Sequence, residues 1–173
     1  QLTSDLLDVS GVITGKLRLH LEPTVMPGIV DYVMESLRPA AESKGVVCAH
    51  RVGVGSPLLL DSARVQQILS NLVANAIKFT PRGGALDVDV RVDGGDLVME
   101  VRDTGVGISP AFLPYVFERF RQADSGTTRT YGGLGLGLSI VKQLAERHGG
   151  HVTASSAGEH QGATFTVRIP ARP

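Results

Sequence analysis

The sequence predicts an α+β domain in which one mixed, mostly antiparallel sheet is covered on one face by helices, a two-layer sandwich. Three observations carry that prediction. Helical periodicity dominates the first half of the chain and two-residue alternation the second. Two alternating runs, 86–92 and 97–103, flank Asp93-Gly94-Gly95-Asp96, which reads as an antiparallel hairpin. At 173 residues, with 42% hydrophobic and 20% charged residues, the chain is long and apolar enough to bury one core.

The elements follow in order. Leu2, Leu6 and Val9 form a short helical stripe that stops before Gly11 and looks like the tail of a longer helix. Residues 1–15 are accordingly assigned to that tail and a linker, and residues 16–173 to the domain proper. Lys16 to Leu21 alternates Leu17, Leu19 and Leu21 with Arg18 and His20, a half-buried strand expected to stop at Glu22-Pro23. From Pro27 to Lys44, Ile29, Val30, Val33, Met34, Leu37 and Ala41 mark a helix closed by Gly45, with a kink expected at Pro39. A strand from Val46 to Val52 follows. Asp61 stands as the N-cap of the clearest helix, 62–79, whose stripe is Val65, Ile68, Leu69, Leu72, Val73, Ala76 and Ile77. After the hairpin, Leu138, Val141, Leu144 and Ala145 mark a helix ended by His148-Gly149-Gly150, and strands are expected at 151–156 and 163–169.

Charge and cysteine content narrow the function. Seventeen basic and seventeen acidic residues cancel, so no global field draws the chain to nucleic acid or an anionic membrane. One cysteine, Cys48, cannot form an internal disulfide, and no apolar run approaches the ~20 residues that span a bilayer. These features predict a cytoplasmic chain that binds no nucleic acid.

Three groups of residues carry candidate chemistry. Asn71, Asn75 and Lys78 fall within roughly 60° of one another on the flank of the 62–79 stripe. Two carboxamides and an ammonium there suit a magnesium polyphosphate, although a solvated helix flank gives the same pattern. Asp103 shares the inward parity of Leu97, Met99 and Val101 and opens Asp-Thr-Gly-Val-Gly-Ile. An acceptor beside a glycine-opened slot suits the amine of adenine; a turn capped by Asp is the alternative. Finally, the glycine run 132–137 leads into a helix whose amide end suits a phosphate. It follows no strand and lacks a Gly-Lys-Ser/Thr ending, which disfavours the dinucleotide and P-loop folds.

In this order, QILSNLVANAIKFTP (67–81), DTGVGI (103–108), FERF (117–120) and GGLGLGL (132–138) resemble the N, G1, F and G2 boxes of the catalytic ATP-binding domain of sensor histidine kinases. The resemblance spans roughly residues 17–170, and residues 5–19 resemble the junction where a dimerisation helix passes into that domain. The wording FRQADSGTTRTYGG is most similar to hybrid kinases, which also carry a receiver domain.

The resemblance implies the Bergerat fold of the gyrase, chaperone and kinase ATPase superfamily. It implies ATP and Mg2+ as cofactors, with Asn75 as the metal ligand and Asn71 and Lys78 on phosphates. Phe79 would stack on adenine, Asp103 would accept from its amine, and Gly105, Gly107 and Ile108 would border the base. Phe117 and Phe120 would pack the base of an ATP lid, and Gly133, Leu134, Gly135, Leu136 and Gly137 would close it. Thr164 joins the nucleotide-binding set by the same resemblance. Gln122 stands where some members carry a phosphate-binding Arg, which passes that charge to Arg121 or Arg129; Leu134 replaces a Thr common in the G2 box.

The implied reaction is transfer of the γ-phosphoryl group of ATP to a histidine in bacterial two-component signalling. None of the chain's five histidines has the acidic, basic and Pro surroundings of an acceptor. The expected partners are therefore a histidine-bearing dimerisation domain and a response-regulator receiver domain, with a monomeric fragment and a homodimeric parent. The alternative is an ATP-hydrolysing conformational clamp of the same superfamily. Such clamps activate water with a Glu one helical turn before the magnesium Asn, and Asn71 occupies that place here.

Overall fold

A computed structural model describes residues 18–119 and 135–171. The elements run β1 (Glu22–Thr24), α1 (Met26–Lys44), β2 (Val47–Gly53), β3 (Leu58–Leu60), α2 (Ser62–Phe79), β4 (Ala85–Asp93), β5 (Asp96–Asp103), a 3-10 turn (Leu113–Tyr115), α3 (Gly137–Arg147), β6 (His151–Ser155) and β7 (Ala163–Pro170). Five strands form one sheet in the order β2-β4-β5-β7-β6. Only the β2–β4 pair in it is parallel. The expected mixed, mostly antiparallel sheet is what forms.

Alternation sets the two faces of the sheet. Leu86, Val88 and Val90 of β4, Leu97, Met99 and Val101 of β5, and Phe165, Val167 and Ile169 of β7 are buried beneath the helices. The other face is charged, with Arg102 on Glu100 at 3.0 Å and Arg51 facing Asp89 at 3.5 Å. Between helices and sheet, α2 is the central helix and packs on both α1 and α3. Its predicted stripe, Val65 to Ile77, is buried at every position. Asp61 caps it as expected, Oδ1 accepting from the Arg64 amide, while Oδ2 accepts from the His20 amide and ties down the chain before β1.

Two expectations are corrected. The first described strand is Glu22–Thr24 rather than 16–21, and it runs through the Pro23 that was read as a stop. Pro23 faces Leu59 in a separate two-stranded ribbon, where an edge position needs no amide donor. Residues 16 and 17 lie outside the described set. Helix α1 begins at Met26 and continues unbroken past the exposed Pro39 to Lys44. Strand β3 and the 3-10 turn had no periodic signal, being three residues each.

Candidate functional site

One flank of α2 faces the first turn of α3, and the loop after β5 is bonded to the last residue of α2. The positions that α2 assigns to Asn71, Asn75 and Lys78 lie between its buried stripe and the exposed Ala74, and all three side chains are half-buried. Asn71 faces the first turn of α3: a Cβ placed on Gly137 would stand 4.0 Å from its Oδ1. Its Nδ2 is buried and has no hydrogen-bond partner among the described residues. Helix α3 starts behind Leu136, whose side chain offers no cap. An uncapped helix start beside an unpaired amide donor is an arrangement that an anion completes. The Lys78 ammonium lies 4.9 Å from the centre of the Phe79 ring, and burial pushes its pKa down.

The second wall is the loop from Asp103 to Ile108. Asp103 is 7% exposed, at the inward end of β5 as its parity requires. Burial raises the pKa of its carboxyl, and the amides of Gly105 and Ala163, which donate to it, pull the other way. The Gly105 amide reaches Asp103 Oδ1 at 2.8 Å, and the Val106 amide reaches the Phe79 carbonyl at 3.0 Å. The loop is thus stitched to the last residue of α2.

Close approach explains the glycines here. A Cβ on Gly105 would lie 2.5 Å from the Phe79 carbonyl oxygen and 2.7 Å from Asp103 Oδ1. On Gly107, at φ +69°, it would lie 2.0 Å from the Gly158 carbonyl oxygen. The crowding atoms belong to the protein itself, so both glycines are needed to assemble the wall. The Ile108 amide donates to Ser156 Oγ at 3.0 Å, and that hydroxyl donates to the Gly162 carbonyl at 2.6 Å. Sequence reasoning missed Ser156 and the β6–β7 loop; Gly158 and Gly162 were the available signal.

The remaining sequence candidates divide. Leu136 is buried, Gly135 precedes it at φ +66°, and Gly137 opens α3 opposite Asn71. Phe117 packs edge-to-face on Phe165 of the sheet at 6.1 Å and 85°, on the helix-covered side. Thr164 lies on the opposite face of the sheet from Phe165. Its side chain alternates with the buried Ala163 and Phe165 and pairs across with Arg102 and Ser155, and the cleft of about 470 Å³ that it lines with Arg102, Thr104 and His160 also reaches Asp103. Phe120, Arg121, Arg129, Gly133 and Leu134 lie outside the described residues. Among the described residues no three His, Cys, Asp or Glu side chains cluster as a metal site.

Comparison with known proteins places this geometry. Residues 60–173 match the family described as histidine kinase-, DNA gyrase B-, and HSP90-like ATPase. The chain belongs to that family. Within it the similarity runs to histidine kinases. Over 98% of its length the chain is 36% identical to hybrid signal transduction histidine kinase D of Dictyostelium discoideum, of which it covers 13%. It is 42% identical, again over 98% of its length, to an uncharacterized sensor-like histidine kinase of Rhizobium meliloti, covering 32% of it. Among solved structures, full-length ShkA in complex with AMPPNP superposes with a TM-score of 0.86 at 34% identity, over 98% of this chain and 35% of that one. The chain therefore spans under half the length of these relatives, and it corresponds to their catalytic ATPase domain. The expected family and fold class are both borne out. No helix among the described residues is long and apolar enough to cross a membrane.

Proposed function

We propose that this domain binds Mg-ATP between the flank of α2 and the Asp103 loop, and that it presents the γ-phosphoryl group to a histidine on a separate dimerisation domain of a hybrid sensor kinase. The observation that carries the proposal is the buried, unpartnered Nδ2 of Asn71 facing the uncapped start of α3. Phosphate oxygens are the acceptors that would satisfy both. Lys78, about two turns along the same flank, adds the compensating charge. At the other end Asp103 offers a buried acceptor for an exocyclic amine, with the Phe79 ring nearby for the base to stack on.

The donor set fits a magnesium ion held jointly with the nucleotide. The Asn75 carboxamide oxygen is a hard neutral ligand, and an octahedral Mg2+ takes its other oxygens from phosphates and water, so a cluster of protein carboxylates is not required. When bound, the ion would neutralise charge developing between the β- and γ-phosphates. The protein's own part is positioning. Asn71 and the α3 amides fix the phosphates, Lys78 offsets their charge, and the incoming histidine nitrogen attacks the γ-phosphorus in line as the bond to the leaving oxygen of ADP breaks. The phosphoryl group then passes to a carboxylate of a receiver domain.

Asn71 also separates transfer from hydrolysis. A carboxamide cannot accept a proton from water, so water activation from that turn of α2 is absent. The test is labelled ATP with the chain alone and with a purified helical hairpin bearing an acceptor histidine. Slow phosphate release alone and label on the histidine are expected. Hydrolysis at about one turnover per second, a typical low enzyme rate, with no histidine labelled, would restore the clamp reading.

A further inference from the structure

We infer that Lys44 is a positioning residue for nucleotide binding, holding from α1 the turn of α2 that carries Lys78 and Phe79; this rests on the function proposed above. Lys44 ends α1, 34 residues before Lys78, and sequence periodicity gives it only the role of a basic residue in a last turn. In the fold its Nζ donates to the carbonyl of Ile77 at 2.8 Å and to that of Lys78.

These are two of the four carbonyls that a helix end leaves without intrahelical partners. Of the others, the Phe79 carbonyl accepts from the Val106 amide at 3.0 Å. One position earlier, the Ala76 carbonyl keeps its helical bond from the Thr80 amide and also accepts from Thr80 Oγ1 at 2.7 Å. Three segments therefore fix one turn: Thr80 from behind, Val106 from the adenine-side loop, and Lys44 from α1. A cation at the carbonyl end of α2 also meets the negative end of its dipole.

The backbone around Lys44 is itself anchored to the exit of α2. The Gly83 amide donates to the Gly45 carbonyl at 2.8 Å, and the Val47 amide donates to the Gly84 carbonyl at 2.9 Å. Lys44 is thus presented by a fixed frame, and its ammonium sits at the backbone of the residues whose side chains face the nucleotide. Loss of that donor frees the Ile77 and Lys78 carbonyls. The Phe79 carbonyl is next in the chain, so the disturbance passes to Val106 and Gly105. Lys44 touches no nucleotide in this arrangement; it acts through Lys78, Phe79 and the Gly105 loop.

The test measures the affinity of this chain for a magnesium-bound, non-hydrolysable ATP analogue, for wild type, Lys44→Met and Lys44→Arg, at a temperature where circular dichroism shows each fully folded. Lys44→Met is expected to bind about tenfold more weakly, the scale of one charge-assisted hydrogen bond, and Lys44→Arg to recover most of the loss. Amide chemical shifts should change at 77–79 and 104–107 and stay put at the Gly94-Gly95 turn. A folded Lys44→Met with wild-type affinity would overturn the inference. If that variant does not fold, Lys44→Gln carries the same expectation, and wild-type affinity or shifts spread evenly through the core would overturn it. A wild-type chain that binds no nucleotide would instead overturn the proposed function, and this inference with it.

Discussion

The two walls of the candidate site are built on opposite terms. In the Asp103–Ile108 loop the backbone amides are consumed by the protein: Thr104 donates to Ala85, Gly105 to Asp103, Val106 to Phe79 and Ile108 to Ser156. The phosphate-side wall keeps donors in hand, with Asn71 Nδ2 buried and unpaired and α3 uncapped. An unpaired buried donor costs about 1–3 kcal/mol. On the proposed function, the difference teaches that the base side is formed before any ligand arrives, whereas the phosphate side holds a polar deficit for the ligand to fill. Mutations on the first should therefore act on folding, and mutations on the second on binding.

The largest effect should come from Gly107→Ala. Its Cβ would enter at 2.0 Å from the Gly158 carbonyl oxygen, on backbone at φ +69°. A loss of about 3 kcal/mol or more in stability is expected, the scale of a buried clash plus left-handed strain. Urea denaturation measures it; a wild-type midpoint would show that the base wall is not held by the β6–β7 loop.

On the opposite wall, Asn75→Ala should leave the melting temperature nearly unchanged and remove magnesium-dependent binding, a loss on the order of 100-fold. Titration calorimetry with and without magnesium decides it. Equal affinity in both would sink the metal assignment.

Asp103 sharpens the comparison because it is built into the loop wall yet is proposed to serve the ligand. Its folded pKa is raised above the unfolded value of 3.8 by burial, so the folded state binds more protons between the two values. This carboxyl's contribution to stability therefore falls as pH rises through that window, and its cost is fully present at neutral pH. Asp103→Asn should weaken adenine-nucleotide binding by about 10–100-fold, equivalent to 1–3 kcal/mol, without lowering stability at pH 7. In the wild type, affinity should decline on acidification at a higher pH than for a free aspartate. A variant that bound as tightly as wild type would leave Asp103 as a turn cap alone.

The smallest effect is expected from Asn71→Ala, about tenfold in affinity. Removing a buried donor that the free protein leaves unpaired should keep the melting temperature level or raise it. A clear drop would show that Asn71 supports the fold as well.

Much of this was legible beforehand because it is local. Asp61, the stripe from Val65 to Ile77, the glycine turn of the hairpin and the parity of Asp103 each follow from periodicity of 3.6 or 2 and from capping chemistry. The stop at Pro23 failed because a proline forbids only what its missing amide must do, and at the ribbon edge nothing is asked of it. Thr164 shares the strand of Ala163 and Phe165, and the pleat sends its side chain to the charged face with Arg102.

What the sequence by itself determined is the set of elements and the chemistry on each: a carboxamide flank on one helix, an inward aspartate at the end of one strand, glycines wherever backbone must crowd. Only the tertiary structure decided which of these meet. Lys44 and Lys78 stand 34 residues apart, and Gly107 and Gly158 are 51 positions apart in the numbering. Their contact depends on how α1, α2 and the β6–β7 loop pack around one core. Residue spacing along the chain carries periodicity within an element, but it carries no distance between elements, and that distance is what makes Asn71 an unpaired donor and Lys44 a support for the turn beside it.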